Sequence, residues 1–182
     1  MKKKALIVVD MQNDFIDGSL GNEHAAAIVE KVCQKIKDWD GDIYYTMDTH
    51  KPDTYAKTTE GKNLPVDHCM AGTHGWDMNG RVYAALWDKV ESIDYMCHHA
   101  FGKECFGSVE LAVRVASEHQ YVELTGLCTD VCVISNAVMI RNQNPYMQVV
   151  VDASCCAGVT PENHRTALEA MKCCGIQVIN DE

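Results

Sequence analysis

Residues 5–10 read Ala-Leu-Ile-Val-Val-Asp. An apolar run of this length, rich in β-branched side chains and closed by a carboxylate, has no polar face to turn toward water. It therefore reads as a strand buried on both faces, the kind found in parallel sheets covered by helices. The rest of the chain repeats the alternation. From about Asn22 to Lys37, the side chains Ile28, Val29, Val32, Cys33 and Ile36 recur on one helical face. Asp42 to Met47 is strand-like, and Glu91 to Cys97 is a weaker third strand. Ser108 caps a helix whose stripe is Leu111, Ala112, Val115 and His119. Tyr121 to Thr125 is a fourth strand, and Thr129 caps a helix running to about Arg141. Met147 to Val151 is a fifth strand. Thr160 and Pro161 open a helix that Gly175 stops, and Ile176 to Ile179 is a sixth strand. Strand and helix in alternation predict a single α/β domain over residues 1–182, a three-layer α-β-α, Rossmann-like fold with a mostly parallel sheet. The exception is the polar, glycine-containing stretch from Thr49 to Gly80, which reads as a functional loop.

The composition narrows the function classes. The chain has 182 residues, enough for one sizeable core and short for two. Its net charge of −10 opposes binding to nucleic acid or to anionic membranes. The basic cluster Lys2 to Lys4 reads as a solvated edge. No segment has the length of a membrane span, and the apolar run of residues 5–9 is too short for the core of a signal peptide, so the protein is expected in the cytoplasm. Ten cysteines without paired CxxC spacing read as reduced thiols packed as small hydrophobes, with one or two held for chemistry.

Ligands of open parallel sheets bind beyond the carboxyl ends of the strands, where strand order reverses. That rule collects Asp10 after the first strand, Asp48 and His50 after the second, and His98, His99 and Lys103 after the third. It adds Cys128, Thr129, Asp130 and Cys132 after the fourth strand, and Asp152, Ser154 and Cys155 after the fifth. Cys132 is the best nucleophile among them. A thiol in the first turn of a helix faces unpaired N–H groups and the positive end of the dipole, which lower its pKa and can hold an oxyanion.

Three blocks appear in order: LIVVDMQNDF (Leu6 to Phe15), KECFGS (Lys103 to Ser108) and GLCTDVCV (Gly126 to Val133). With VDASCCAGVTPENHRTAL (Val151 to Leu168), they resemble the signature blocks of the isochorismatase-like cysteine hydrolases over essentially the whole chain. The resemblance implies a six-stranded parallel sheet in the order 3-2-1-4-5-6, which sets Asp10 and Cys132 across one crevice. It implies Cys132 as nucleophile, Asp10 as the group that takes its proton, Lys103 as the partner of Asp10, and the backbone N–H groups of Cys128 and Cys132 as the oxyanion hole. It also implies a cis peptide between Leu127 and Cys128, and association into a homo-oligomer.

Asp48-Thr49-His50 and the later Pro65-Val66-Asp67-His68-Cys69-Met70-Ala71-Gly72-Thr73-His74-Gly75 are similar to the metal-binding segments of the nicotinamidase branch. From spacing alone the histidines are loop residues. The resemblance makes Asp48, His50 and His68 ligands of one divalent ion, zinc, iron or manganese, that holds a heteroaromatic amide. Phe15 would form one wall of the substrate site. Leu64 stands where the family usually has tryptophan, and one extra residue separates the proline from His68. His74 reads as a loop residue. Three readings stay open: a metal-dependent amidohydrolase of nicotinamide or a similar small-molecule amide, a metal-free relative cleaving carbamoyl or ureido amides, and a non-catalytic binding member.

Overall fold

The computed structural model describes residues 4–181. Six strands form one sheet: β1 (Lys4–Val9), β2 (Asp42–Asp48), β3 (Ala100–Lys103), β4 (Tyr121–Leu127), β5 (Gln148–Ala157) and β6 (Gln177–Ile179). They are parallel throughout and lie in the order β3-β2-β1-β4-β5-β6. β1 is central, and Ala5, Leu6, Ile7, Val8 and Val9 are all fully buried, as an apolar run without alternation requires. The order reverses between β1 and β4, where Val9 pairs with Gly126. At that glycine a Cβ would stand 2.1 Å from the Val9 carbonyl oxygen, so its absence lets the ends of the two strands close together.

The helices among the described residues are α1 (Asn13–Ile16), α2 (Glu23–Asp38), α3 (Thr59–Asn63), α4 (Gly80–Val90), α5 (Ile93–His99), α6 (Val109–Glu118), α7 (Ile134–Gln143) and α8 (Pro161–Cys173). α2 and α4 cover one face of the sheet through Ile28, Val29, Val32, Ile36, Val82 and Leu86. α6, α7 and α8 cover the other through Leu111, Val115, Ile140, Leu168 and Met171. The expected caps form at Ser108, whose Oγ accepts from Leu111 N at 3.2 Å, and at Thr160, whose Oγ1 accepts from Asn163 N at 3.1 Å. Gly175 ends α8 at φ +74°.

Several expectations are corrected. Residues 91–97 are not the third strand. Ser92 Oγ accepts from Tyr95 N at 3.2 Å and starts α5, and the strand is the shorter Ala100–Lys103. His98 and His99 therefore precede β3, at the end of the sheet opposite the rim, where His99 stacks on Tyr95 at 3.8 Å. Thr129 caps nothing. Residues Thr129–Val133 form a π-helical turn, and the Thr129 hydroxyl meets His164 Nδ1 at 2.8 Å. β5 runs on to Ala157, so Asp152, Ser154 and Cys155 lie inside it rather than after it. The stretch from Thr49 to Gly80 is not structureless: it holds a 3-10 turn at Tyr55–Lys57 and α3, with Tyr55 buried as its anchor. Of the Lys2 to Lys4 cluster, Lys2 and Lys3 lie outside the described residues, and Lys4 sits over the Trp39 ring at 4.9 Å. All ten cysteines are free; Cys97, Cys105, Cys173 and Cys174 are exposed rather than packed. Among the described residues, no helix is long and apolar enough to cross a membrane.

Candidate active site

β1, β2, β3 and β4 end at one rim, and each delivers a group to it. Asp10 leaves β1 in the left-handed conformation, φ +45°, fully buried, with its Oδ1 accepting from Thr46 Oγ1 at 2.6 Å. β3 pairs with β2 so that Lys103 lies opposite Asp48. Lys103 Nζ stands 2.6 Å from Asp10 Oδ2, 3.3 Å from Asp48 Oδ1 and 3.5 Å from the Cys132 sulfur. The contact with Asp10 is a fully buried ion pair. Cys132 comes from the π-helical turn after β4, in which Val133 N donates to Cys128 O at 3.0 Å. Asn136 holds that turn through Nδ2, which donates to Cys132 O at 2.8 Å. The Leu127–Cys128 peptide is cis.

The electrostatics follow from burial. Desolvation raises the Asp10 carboxyl, with Lys103 opposing and Asp48 adding to the rise. Burial pulls the Lys103 ammonium down, but Asp10, Cys132 and Asp48 outweigh it and hold the charge firmly. The expected lowering of the Cys132 thiol is not found. Complete burial pushes it well up, Asp10 and Asp48 add to this, and Lys103 opposes.

Beside this group lies a second one. Asp48, His50, Glu60 and His68 each offer one ligand atom, and the four atoms lie within 4.8 Å of one another. Asp48 Oδ2 is 3.0 Å from His50 Nε2 and 3.5 Å from His68 Nε2. Glu60 Oε1 is 3.6 Å and 3.4 Å from the same nitrogens. His68 Nδ1 is 2.9 Å from the Val66 carbonyl, a contact that turns Nε2 toward the group. His50 Nε2 is buried, faces Asp48, and has no aligned hydrogen-bond partner. Burial disfavours the imidazolium of His50, but Asp48 and Glu60 outweigh it and raise the group to about 9; the same forces raise His68 to about 10. The buried carboxylate of Asp48 and the half-buried one of Glu60 thus draw compensating positive charge into a space lined by nitrogen and oxygen donors. An orphaned imidazole nitrogen in that setting fits a divalent ion.

Phe15 is buried, its ring 5.6 Å from His68. Leu64 follows α3 at the surface, 37% exposed, and its carbonyl accepts the Tyr55 hydroxyl at 2.8 Å. His74 is exposed, as a loop residue is expected to be. Glu60 is the group that sequence reasoning missed. It belongs to no motif used above, and its only sequence signal is a carboxylate in a short helix capped by Thr58 within the loop.

Residues 4–182 match the model of the isochorismatase domain. The chain belongs to the isochorismatase family. It is 33% identical over 178 residues, 91% of this chain and 92% of the other, to the uncharacterized isochorismatase family protein PncA of Bacillus subtilis. The solved pyrazinamidase/nicotinamidase of Streptococcus mutans superposes with a TM-score of 0.81 at 29% identity, over 97% of this chain and 100% of the other. The pyrazinamidase of Pyrococcus horikoshii in complex with zinc superposes with a TM-score of 0.75 at 26% identity, over 97% and 98%.

Proposed function

We propose that this protein is a nicotinamidase-like amidohydrolase, which cleaves the C–N bond of nicotinamide or a similar heteroaromatic amide and releases ammonia. The observation that carries the reading is the lysine bridge: one buried ammonium touches the carboxylate of Asp10, the sulfur of Cys132 and the carboxylate of Asp48. A buried thiol beside a carboxylate of raised pKa is a nucleophile paired with its base.

In this reading the Cys132 sulfur attacks the amide carbon as the thiol proton passes to Asp10. The carbonyl oxygen takes up the electron pair, and the backbone N–H groups of Cys128 and Cys132 are the donors proposed to hold it. Asp10 gives the proton to the nitrogen, the C–N bond breaks, and ammonia leaves a thioester on Cys132. Water then attacks the thioester carbon and yields its proton to Asp10. The C–S bond breaks, the acid departs, and the proton returns to sulfur. Lys103 keeps a positive charge beside Asp10 and the sulfur through both halves. Asp48, His50, Glu60 and His68 would hold a divalent ion, zinc, iron or manganese. When bound, that ion supplies a Lewis-acid site for a ring nitrogen of the substrate and so orients the amide. Phe15 and Leu64 are the proposed walls for the ring. The small-molecule amide is the only partner the proposal requires.

Ammonia release from a panel of small amides, with metal content determined on the same preparation, tests this. Turnover of nicotinamide or pyrazinamide by ion-containing protein is expected. A protein that binds these amides without releasing ammonia overturns the catalytic reading. Turnover of carbamoyl or ureido amides alone, by protein that takes up no metal, overturns the substrate class.

A further inference from the structure

We propose that Asp14 is a positioning residue for the ion site: by holding the backbone at Cys69 it sets where the His68 imidazole stands relative to His50. The inference rests on the metal-assisted reading above. Cys69 is fully buried and adopts φ +45°, a conformation that side-chain-bearing residues rarely take and that needs outside support. The support comes from two sides. Asp14 Oδ2 accepts from Cys69 N at 2.7 Å, and the Cys69 carbonyl accepts from His50 N at 3.0 Å. The residue next to His68 is thereby tied to His50 at one end and to α1 at the other.

Asp14 is itself built in. Its second oxygen accepts from Ser19 N at 3.1 Å, and its own N–H donates to Gly75 O at 3.0 Å. Two backbone donors on two carboxylate oxygens suit aspartate. Asparagine could serve only one of them and would turn an NH₂ against the other. Gly75 makes room for this. A Cβ there would lie 2.1 Å from Asp14 Oδ2, and its three nearest neighbours are all Asp14 side-chain atoms. Asp14 and Gly75 are therefore one device, read from opposite sides.

The test is the Zn²⁺ affinity of the metal-stripped full chain, by competition with a chromophoric chelator. The variants are Asp14→Ala, Asp14→Asn, Gly75→Ala and the Asp14→Ala/Gly75→Ala double, with far-UV circular dichroism confirming the fold. Asp14→Ala and Gly75→Ala should each weaken binding roughly ten- to hundredfold, the range for groups that orient ligands, and should raise KM more than they lower kcat. Asp14→Asn should lose less. Gly75→Ala should add nothing once Asp14 is alanine, because the added methyl then meets the space the carboxylate left. Unchanged affinity in folded Asp14→Ala, or an undiminished Gly75→Ala effect in that background, overturns the inference while leaving the metal reading intact. If Asp14→Ala fails to fold, unchanged affinity in both Gly75→Ala and Asp14→Asn overturns it equally. A wild-type protein that takes up no Zn²⁺ overturns the metal reading and this inference with it.

Discussion

Lys103 Nζ lies 3.3 Å from Asp48 Oδ1, and that contact joins the thiol group to the imidazole group. The other oxygen of Asp48 faces His50 at 3.0 Å and His68 at 3.5 Å. One carboxylate thus belongs to both halves of the site, with its charge shared between an ammonium and two imidazoles. Desolvation alone would raise Asp48; His50, His68 and Lys103 together hold it well below the usual carboxylate range.

Replacing the nucleophile is the most direct check on the proposed chemistry. Cys132→Ala should remove amide hydrolysis by several orders of magnitude, on the order of 10⁴-fold or more, while the melting temperature changes little. Ammonia release measures the first and calorimetry the second. Residual activity above a few per cent of wild type would mean that another group attacks the substrate.

Asp10 and Lys103 should behave as one proton-handling unit. Asp10→Asn and Lys103→Met should each lower kcat by about 10²- to 10⁴-fold, and the double variant should be no worse than the poorer single one. Lys103→Met also leaves Asp10 buried without its cation, which should cost about 3–5 kcal/mol of stability in urea unfolding. Additive kinetic losses would show two independent structural roles.

Glu60 separates a four-ligand ion site from a three-ligand one. Glu60→Gln and His68→Ala should both weaken Zn²⁺ or Mn²⁺ binding and raise KM more than they lower kcat, because the ion orients the substrate while sulfur does the attacking. Asp48→Asn should reduce both ion affinity and kcat, since it also touches Lys103. Titration calorimetry and steady-state kinetics on the same samples decide this. Binding unaltered by Glu60→Gln would remove Glu60 from the ligand set.

A second charged cluster predicts the acid limb of stability. Lys35 contacts both Glu123 and Asp152, whose side chains are only 6% and 2% exposed. Burial would raise the Asp152 carboxyl, but Lys35, Asn180 and Ser154 hold it below its ordinary value of 3.8. A carboxyl depressed in the folded state contributes stability that is complete above the unfolded value and is lost as pH falls through the folded one. The loss attributable to Asp152 should therefore begin near pH 4 and continue downward. Urea midpoints across pH 2–7 should show a shallower acid slope in Asp152→Asn than in wild type, and an equal slope would assign the acid limb to other groups. Lys35→Met, which strands two buried carboxylates, should cost about 3–5 kcal/mol at neutral pH.

The sequence by itself determined five of the six strands and the rim positions of Asp10 and Cys132. An apolar run such as residues 5–9 needs cover on both faces, helical stripes such as Ile28, Val29 and Val32 supply it, and both patterns are local. Asp10 and Cys132 were legible for the same reason, since each lies at the end of an element whose boundary the pattern marks. Tertiary structure alone decided where β3 begins. Ala100–Lys103 carries almost no periodic signal and takes its conformation from pairing with Tyr45–Asp48, whereas the residues before it have a cap and become α5. It also decided that Lys103 meets Asp48, 55 residues away, and that Glu60 joins the two histidines. The surroundings of Cys132 were set there too: complete burial beside two carboxylates pushes the thiol up and outweighs the opposing Lys103 ammonium. Periodicity records which face of an element is buried, while the distance between charges depends on how elements far apart in the chain are stacked.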